Sequence, residues 1–139
     1  MLSAKTETAL RESAAGLLEF MRKPDRAQRL ALRDLAHTLQ TGREAMDERL
    51  AFVARSCDEV EARLAGFLTA ESTENVFRGR AGKNQELLSV FSSDDQLQAV
   101  VTSWAREGNY AKLLELWVEG GKPLPRLSAF YIVGVARIE

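Results

Sequence analysis

The 139-residue sequence is short of several things. It has one cysteine, Cys57, so no internal disulfide can form, and a reducing cytoplasmic setting is expected. It has one histidine, His37, and a lone His with a lone Cys cannot build a Cys/His zinc site. It lacks an excess of charge: 19 Lys and Arg stand against 20 Asp and Glu, for a formal charge of −1. Neither part is biased, with 9 basic and 8 acidic residues through Arg49, then 10 and 12. Such a chain carries no field that would gather nucleic acid or an anionic membrane, so neither is expected as a partner. No apolar run approaches the roughly 18 to 20 residues of a membrane span. Met1-Leu2-Ser3-Ala4-Lys5-Thr6 has neither the basic start nor the apolar stretch of a signal peptide. Internal repeats and low-complexity segments are absent.

What is present is the composition of an ordinary folded domain, with 45% hydrophobic and 28% charged residues. Leu2-Ser3-Ala4 is a short extended stub. Thr6 then reads as an N-cap, Glu7 suits the helix dipole, and Leu10, Ala14, Leu17, Leu18 and Met21 recur at helical spacing. Pro24 ends that helix through Lys23. A second helix is predicted from Asp25 or Arg26, with Leu32, Leu35, Ala36 and Leu39 inside and Gly42 as its stop. Leu50-Ala51-Phe52-Val53-Ala54 is a short apolar run that reads as a buried strand. Ser56-Cys57-Asp58-Glu59 fits a capping box, opening a helix with Val60, Leu64, Phe67 and Leu68 inside.

Glu71 to Glu74 reads as a turn and Asn75 to Arg80 as another short strand. Ser93-Asp94-Asp95-Gln96 fits a second capping box, followed by a face of Leu97, Val100, Val101 and Trp104 that Gly108 ends. Tyr110, Leu113, Leu114, Trp117 and Val118 make a last helix, closed by Gly120-Gly121. Pro123 and Pro125 break regular structure, and Ser128 to Ile138 is an apolar, β-prone tail. The order predicts an α+β fold, with a small antiparallel sheet of two or three strands covered on one face by several helices.

Candidate chemistry is thin. No motif gives His37 the hydroxyl or carboxylate partner a catalytic base needs, so it reads as a packed or surface histidine. The helix dipole could lower the Cys57 thiol, yet a small residue behind the Ser56 cap accounts for it. Asp58, Glu59 and Glu61 read as solvated charges at a helix start. Gly79-Arg80-Ala81-Gly82-Lys83 lacks the spacing of a phosphate-binding loop. Trp104, Tyr110 and Trp117 sit at helical spacing with Leu and Val, which reads as core. No constellation performs catalysis, and no cofactor or metal is expected.

One stretch resembles a known family. Asp34-Leu35-Ala36-His37-Thr38-Leu39-Gln40-Thr41-Gly42-Arg43-Glu44-Ala45-Met46-Asp47-Glu48-Arg49-Leu50-Ala51-Phe52-Val53 is similar to the linker that follows the ketosynthase in modular type I polyketide synthases. Leu2 to Thr6 resembles its opening strand, Val76-Phe77-Arg78-Gly79 its later strand, and Leu113 to Gly120 its closing helix. The flavour is that of synthases served by a separate acyltransferase in trans, where the region is called the acyltransferase docking domain. The resemblance implies a non-catalytic module at residues 1–121, with 122–139 left as a C-terminal tail without an assigned structure. It implies three partners: the adjacent ketosynthase, the free-standing malonyl-CoA acyltransferase and the acyl carrier protein. The family's Pro-Thr-Tyr-Pro-Phe segment is replaced here by Leu124 to Val133. For docking, the candidate residues are Arg78, Arg80 and Lys83 near the later strand, with Arg43 and Glu44 in the Gly42 turn. The rival readings are a purely structural spacer and an unrelated helical adaptor.

Overall fold

The chain is described from a computed structural model, which covers residues 1–27, 31–41, 45–71, 74–82, 86, 89–90 and 93–120. Strand β1 (Leu2–Ala4) delivers the chain to Thr6, whose hydroxyl accepts from the Ala9 amide at 3.2 Å and caps α1 (Glu7–Arg22). Leu10, Ala14, Leu18 and Met21 of α1 are buried, as their spacing predicts. Lys23 leaves helical geometry at ψ 128 ahead of Pro24. The predicted second helix is in fact two elements, a single turn α2 (Pro24–Ala27) and a separate helix α3 (Leu32–Thr41). Leu32, Leu35 and Ala36 are buried on α3. Gly42, its expected stop, lies outside the described residues, as do the Gly42-Arg43-Glu44 turn and Lys83.

Strand β2 is Glu48–Phe52, two residues earlier than the apolar run alone predicts. Pairing decides the boundary. β2 lies between β1 and β3 (Val76–Arg80), antiparallel to both, and Glu48 and Arg49 each face a partner on either side. Ser56 caps α4 (Cys57–Thr69) as expected, its hydroxyl accepting from the Glu59 amide at 3.2 Å. The reciprocal half of the box differs, because the Glu59 carboxylate takes the Arg55 amide one residue before the cap. Ala70 ends α4 in the left-handed region at φ 58.

The second predicted cap is corrected. Asp94, not Ser93, caps α5 (Asp95–Glu107), accepting from the Gln96 amide at 2.8 Å, while Ser93 donates back to the Ser89 and Val90 carbonyls. Val101 and Ala105 are buried on α5, whereas Val100, expected inside, is 44% exposed. Gly108 closes α5 at φ 75, a geometry that favours glycine. Helix α6 (Tyr110–Val118) follows with Leu113, Leu114, Trp117 and Val118 buried.

The α+β class and the three-stranded antiparallel sheet are as predicted. Helices, however, cover both faces rather than one, because the strand pleat sends alternate residues to opposite sides. Leu2, Ala4, Leu50, Phe52 and Val76 join a first core with α1, α3 and α4. Met1, Ala51, Val53 and Phe77 join a second core with α5 and α6. Trp104, Tyr110 and Trp117 belong to that second core, as their spacing predicts. The apolar tail from Ser128 and its place in the fold lie outside the described residues.

Candidate functional site

The candidate docking residues within the described chain, Arg78 and Arg80, are two apart on β3 and so lie on one face of the sheet. That is the first-core face, since their cross-strand partners are Leu50 and Glu48. Both are exposed at the edge of the sheet, and each meets a carboxylate. Arg78 Nη2 is 2.8 Å from Glu7 Oε1 at the start of α1, and its guanidinium lies 5.9 Å from the Phe67 ring centre. Arg80 Nε is 3.5 Å from Glu48 Oε1 across the strand pair. Arg11 flanks the same Phe67 ring at 5.6 Å and donates to the Phe67 and Leu68 carbonyls, capping the end of α4. Arg78 is thus preorganised by an aromatic ring and an acid, while Arg80 reaches further into solvent.

The opposite face of the sheet carries a feature that sequence reading passed over. Arg49, which immediately precedes the apolar run, is buried at 7% exposure. Its Nε donates to the Met46 carbonyl at 2.8 Å and its Nη1 to the Trp117 carbonyl at 2.7 Å, and it lies 5.0 Å from the Trp117 ring centre. Burial pulls this guanidinium below its ordinary pKa, and the nearby Asp47 carboxylate offsets part of that. A cation on the last carbonyls of α6 also complements the helix dipole. Directly across the strand pair is Gly79. A Cβ there would sit 2.6 Å from the Val118 carbonyl oxygen, so only glycine admits the end of α6 this closely. The signal was legible in principle: a glycine between two arginines inside a strand pattern marks a close backbone approach.

The remaining candidates find ordinary roles. Gly79 is held in the strand pair against Val118. Cys57 is half-buried on the first turn of α4, where burial and then the Asp58 and Glu61 carboxylates push its thiol up, the opposite of dipole activation. The Glu59 carboxylate accepts from the Arg55 amide just before the cap, and Glu61 pairs with Arg22 at 3.3 Å. His37 is exposed on α3. Among the described residues no group of three or more His, Cys, Asp or Glu could hold a metal ion, and no helix is long and apolar enough to cross a membrane.

Residues 1–71 match the family described as RhiE-like, KS-MAT linker domain. The chain belongs to this family. The linker domain is 40% identical over 121 residues to polyketide synthase PksL of Bacillus subtilis strain 168, and 38% identical over 120 residues to PksM of the same strain. Each alignment takes in 86% of this chain but 3% of the relative, so the chain spans a small fraction of the curated proteins it matches. Among solved structures it is similar to the ketosynthase from module 6 of the bacillaene synthase of B. subtilis 168 (TM-score 0.80, 32% identity, 88% of this chain and 21% of that one). The ketosynthase from module 1 of the bacillaene synthase of Bacillus amyloliquefaciens FZB42 is similar too, with TM-score 0.75, 36% identity, and 87% and 21% coverage. The family expected from the Asp34–Val53 block is therefore the family found, and the likeness extends beyond residue 71 through α5 and α6.

Proposed function

We propose that this linker domain works beside a ketosynthase of a modular polyketide synthase and presents a surface to a free-standing malonyl-CoA acyltransferase acting in trans. It positions that enzyme near the acyl carrier protein and carries out no step of the chemistry itself. The observation that carries the reading is the kind of protein it resembles: a domain of this fold makes up 21% of solved ketosynthase chains at 32 to 36% identity. A cytoplasmic setting accords with the single cysteine, which allows no internal disulfide. The docking residues are Arg78 and Arg80 on the β3 edge, together with Arg43, Glu44 and Lys83, which lie outside the described residues.

The test is calorimetric titration of the purified chain with the free-standing acyltransferase encoded beside it. Saturable binding is expected. Changing Arg78 and Arg80 together to Glu should weaken it at least tenfold while the melting temperature moves little, since exposed ion pairs are worth about 0.2–1 kcal/mol each. One observation favours the spacer reading: each arginine already has a carboxylate within the domain. Absence of heat and of co-elution would select that reading.

A further inference from the structure

The internal carboxylates are themselves informative. Arg78 and Arg80 stand on one face of one strand, about 7 Å apart at two-residue spacing. Each is already in contact with a carboxylate, which shows the kind of group their surroundings accommodate. Their partners differ. The Glu7 side chain is 55% exposed and tops α1, whereas that of Glu48 is 13% exposed and fixed in the central strand. The arginine side chains are 41% and 64% exposed. A guanidinium has five N–H donors in a planar fork, and these contacts engage Nη2 of Arg78 and Nε of Arg80. Phe67 holds the Arg78 fork in place, so little conformational entropy is lost when a second group meets it.

We propose that this β3 surface recognises an acidic segment of its protein partner by carboxylate exchange, with the incoming acids taking Arg78 and Arg80 from Glu7 and Glu48. The inference rests on the docking reading above for its location and adds the chemistry of the partner and a built-in competitor. Glu7 and Glu48 then act as an internal brake: with the site empty they neutralise it, which lowers affinity for stray anions and confines tight binding to a partner presenting at least two carboxylates at matching spacing. Charge complementarity selects the occupant at Arg80, which at 64% exposure stands outside Glu48 at 13%, so an approaching segment meets the guanidinium there before it meets the acid.

The test uses the whole chain and a hexaglutamate peptide, followed by the arginine Nε–Hε signals in NMR titrations at low salt. Glu48→Gln and Glu7→Gln remove a competitor without removing volume, and each should tighten peptide binding by about two- to fivefold, the scale of one exposed ion pair. Arg78→Gln with Arg80→Gln should abolish it. Equal affinity in the parent and both glutamine variants, or no binding by the double Glu→Gln variant, overturns the exchange. The same variants titrated with the acyltransferase separate this proposal from the docking reading. Peptide exchange without acyltransferase binding leaves the exchange standing and removes that enzyme as the partner. Acyltransferase binding that ignores both Glu→Gln changes, with no peptide binding, keeps recruitment and removes the exchange.

Discussion

The two faces of the β-sheet are closed in different ways. On the first, α1, α3 and α4 press rows of leucine, alanine and valine onto Leu50 and Phe52, and Leu10, Leu50, Val60 and Leu64 lose all contact with solvent. On the second, α6 buries Leu113, Leu114, Trp117 and Val118, and its last turn comes unusually close to the sheet: Arg49 holds the Trp117 carbonyl, and the Val118 backbone rests where Gly79 has no side chain. The first face draws on many small burial terms that tolerate repacking, while the second concentrates its specification in a few positions. Periodicity therefore foretells the helical stripes on both faces and says little about the close approach of α6 to β3.

The largest test of this contrast is Leu64→Ala. Leu64 is fully buried, so truncation should cost about 2–5 kcal/mol through lost transfer energy and a cavity. It should lower the melting temperature of the whole domain in one transition, since both cores share the same sheet. Gly79→Ala should cost about 1–3 kcal/mol despite adding a single methyl, because the Val118 carbonyl must move away. Its signature is local: Trp117 fluorescence changes and α6 amides exchange faster, while α1 and α4 stay protected. If Gly79→Ala proves as mild as a surface change, the second face is more yielding than its geometry implies. In the other direction, Ala70→Gly should stabilise by about 1 kcal/mol in thermal melts, since Ala70 sits at φ 58, where a Cβ is strained.

The smallest effect reads the first face through Cys57, which packs against that core. Its raised thiol pKa means the folded chain keeps this proton at pH values where the unfolded chain releases it, so stability declines slightly as pH rises past the ordinary thiol range. Alkylation by iodoacetamide near pH 8 should accordingly be slower than in the unfolded chain. Leu64→Ala should speed it, and Gly79→Ala should leave it nearly unchanged.

Much of this was readable in advance where one residue governs its own neighbourhood. Thr6 and Ser56 cap the helices they were expected to cap, Lys23 leaves the helix before Pro24, and α1 buries the stripe that its spacing marks. Legibility failed where neighbours compete or where the answer lies far along the chain. Ser93 and Asp94 both suit a cap, and the carboxylate won the adjacent amide while the hydroxyl turned back to Ser89. Val100 has a buried residue's character but faces out because Val101 and Ala105 take the inner positions. Burial of Arg49 depends on Trp117, 68 residues later, and nothing local to Arg49 announces it. At the candidate docking surface, the positions of Arg78 and Arg80 on an exposed strand were legible, while their partners Glu7 and Glu48 were not, being supplied by a helix start and a strand that only the fold brings near.

Met1 and the end of α6 pack in the same core, on the same side of the sheet. The chain sets out from one edge strand, makes its excursion through α1 to α5, and comes home to a sheet only two strand spacings wide, about 10 Å. The described chain is thus a closed circuit rather than a through-route: Met1 and the last turn of α6 are held by the same small core, and a change at either is felt by the other.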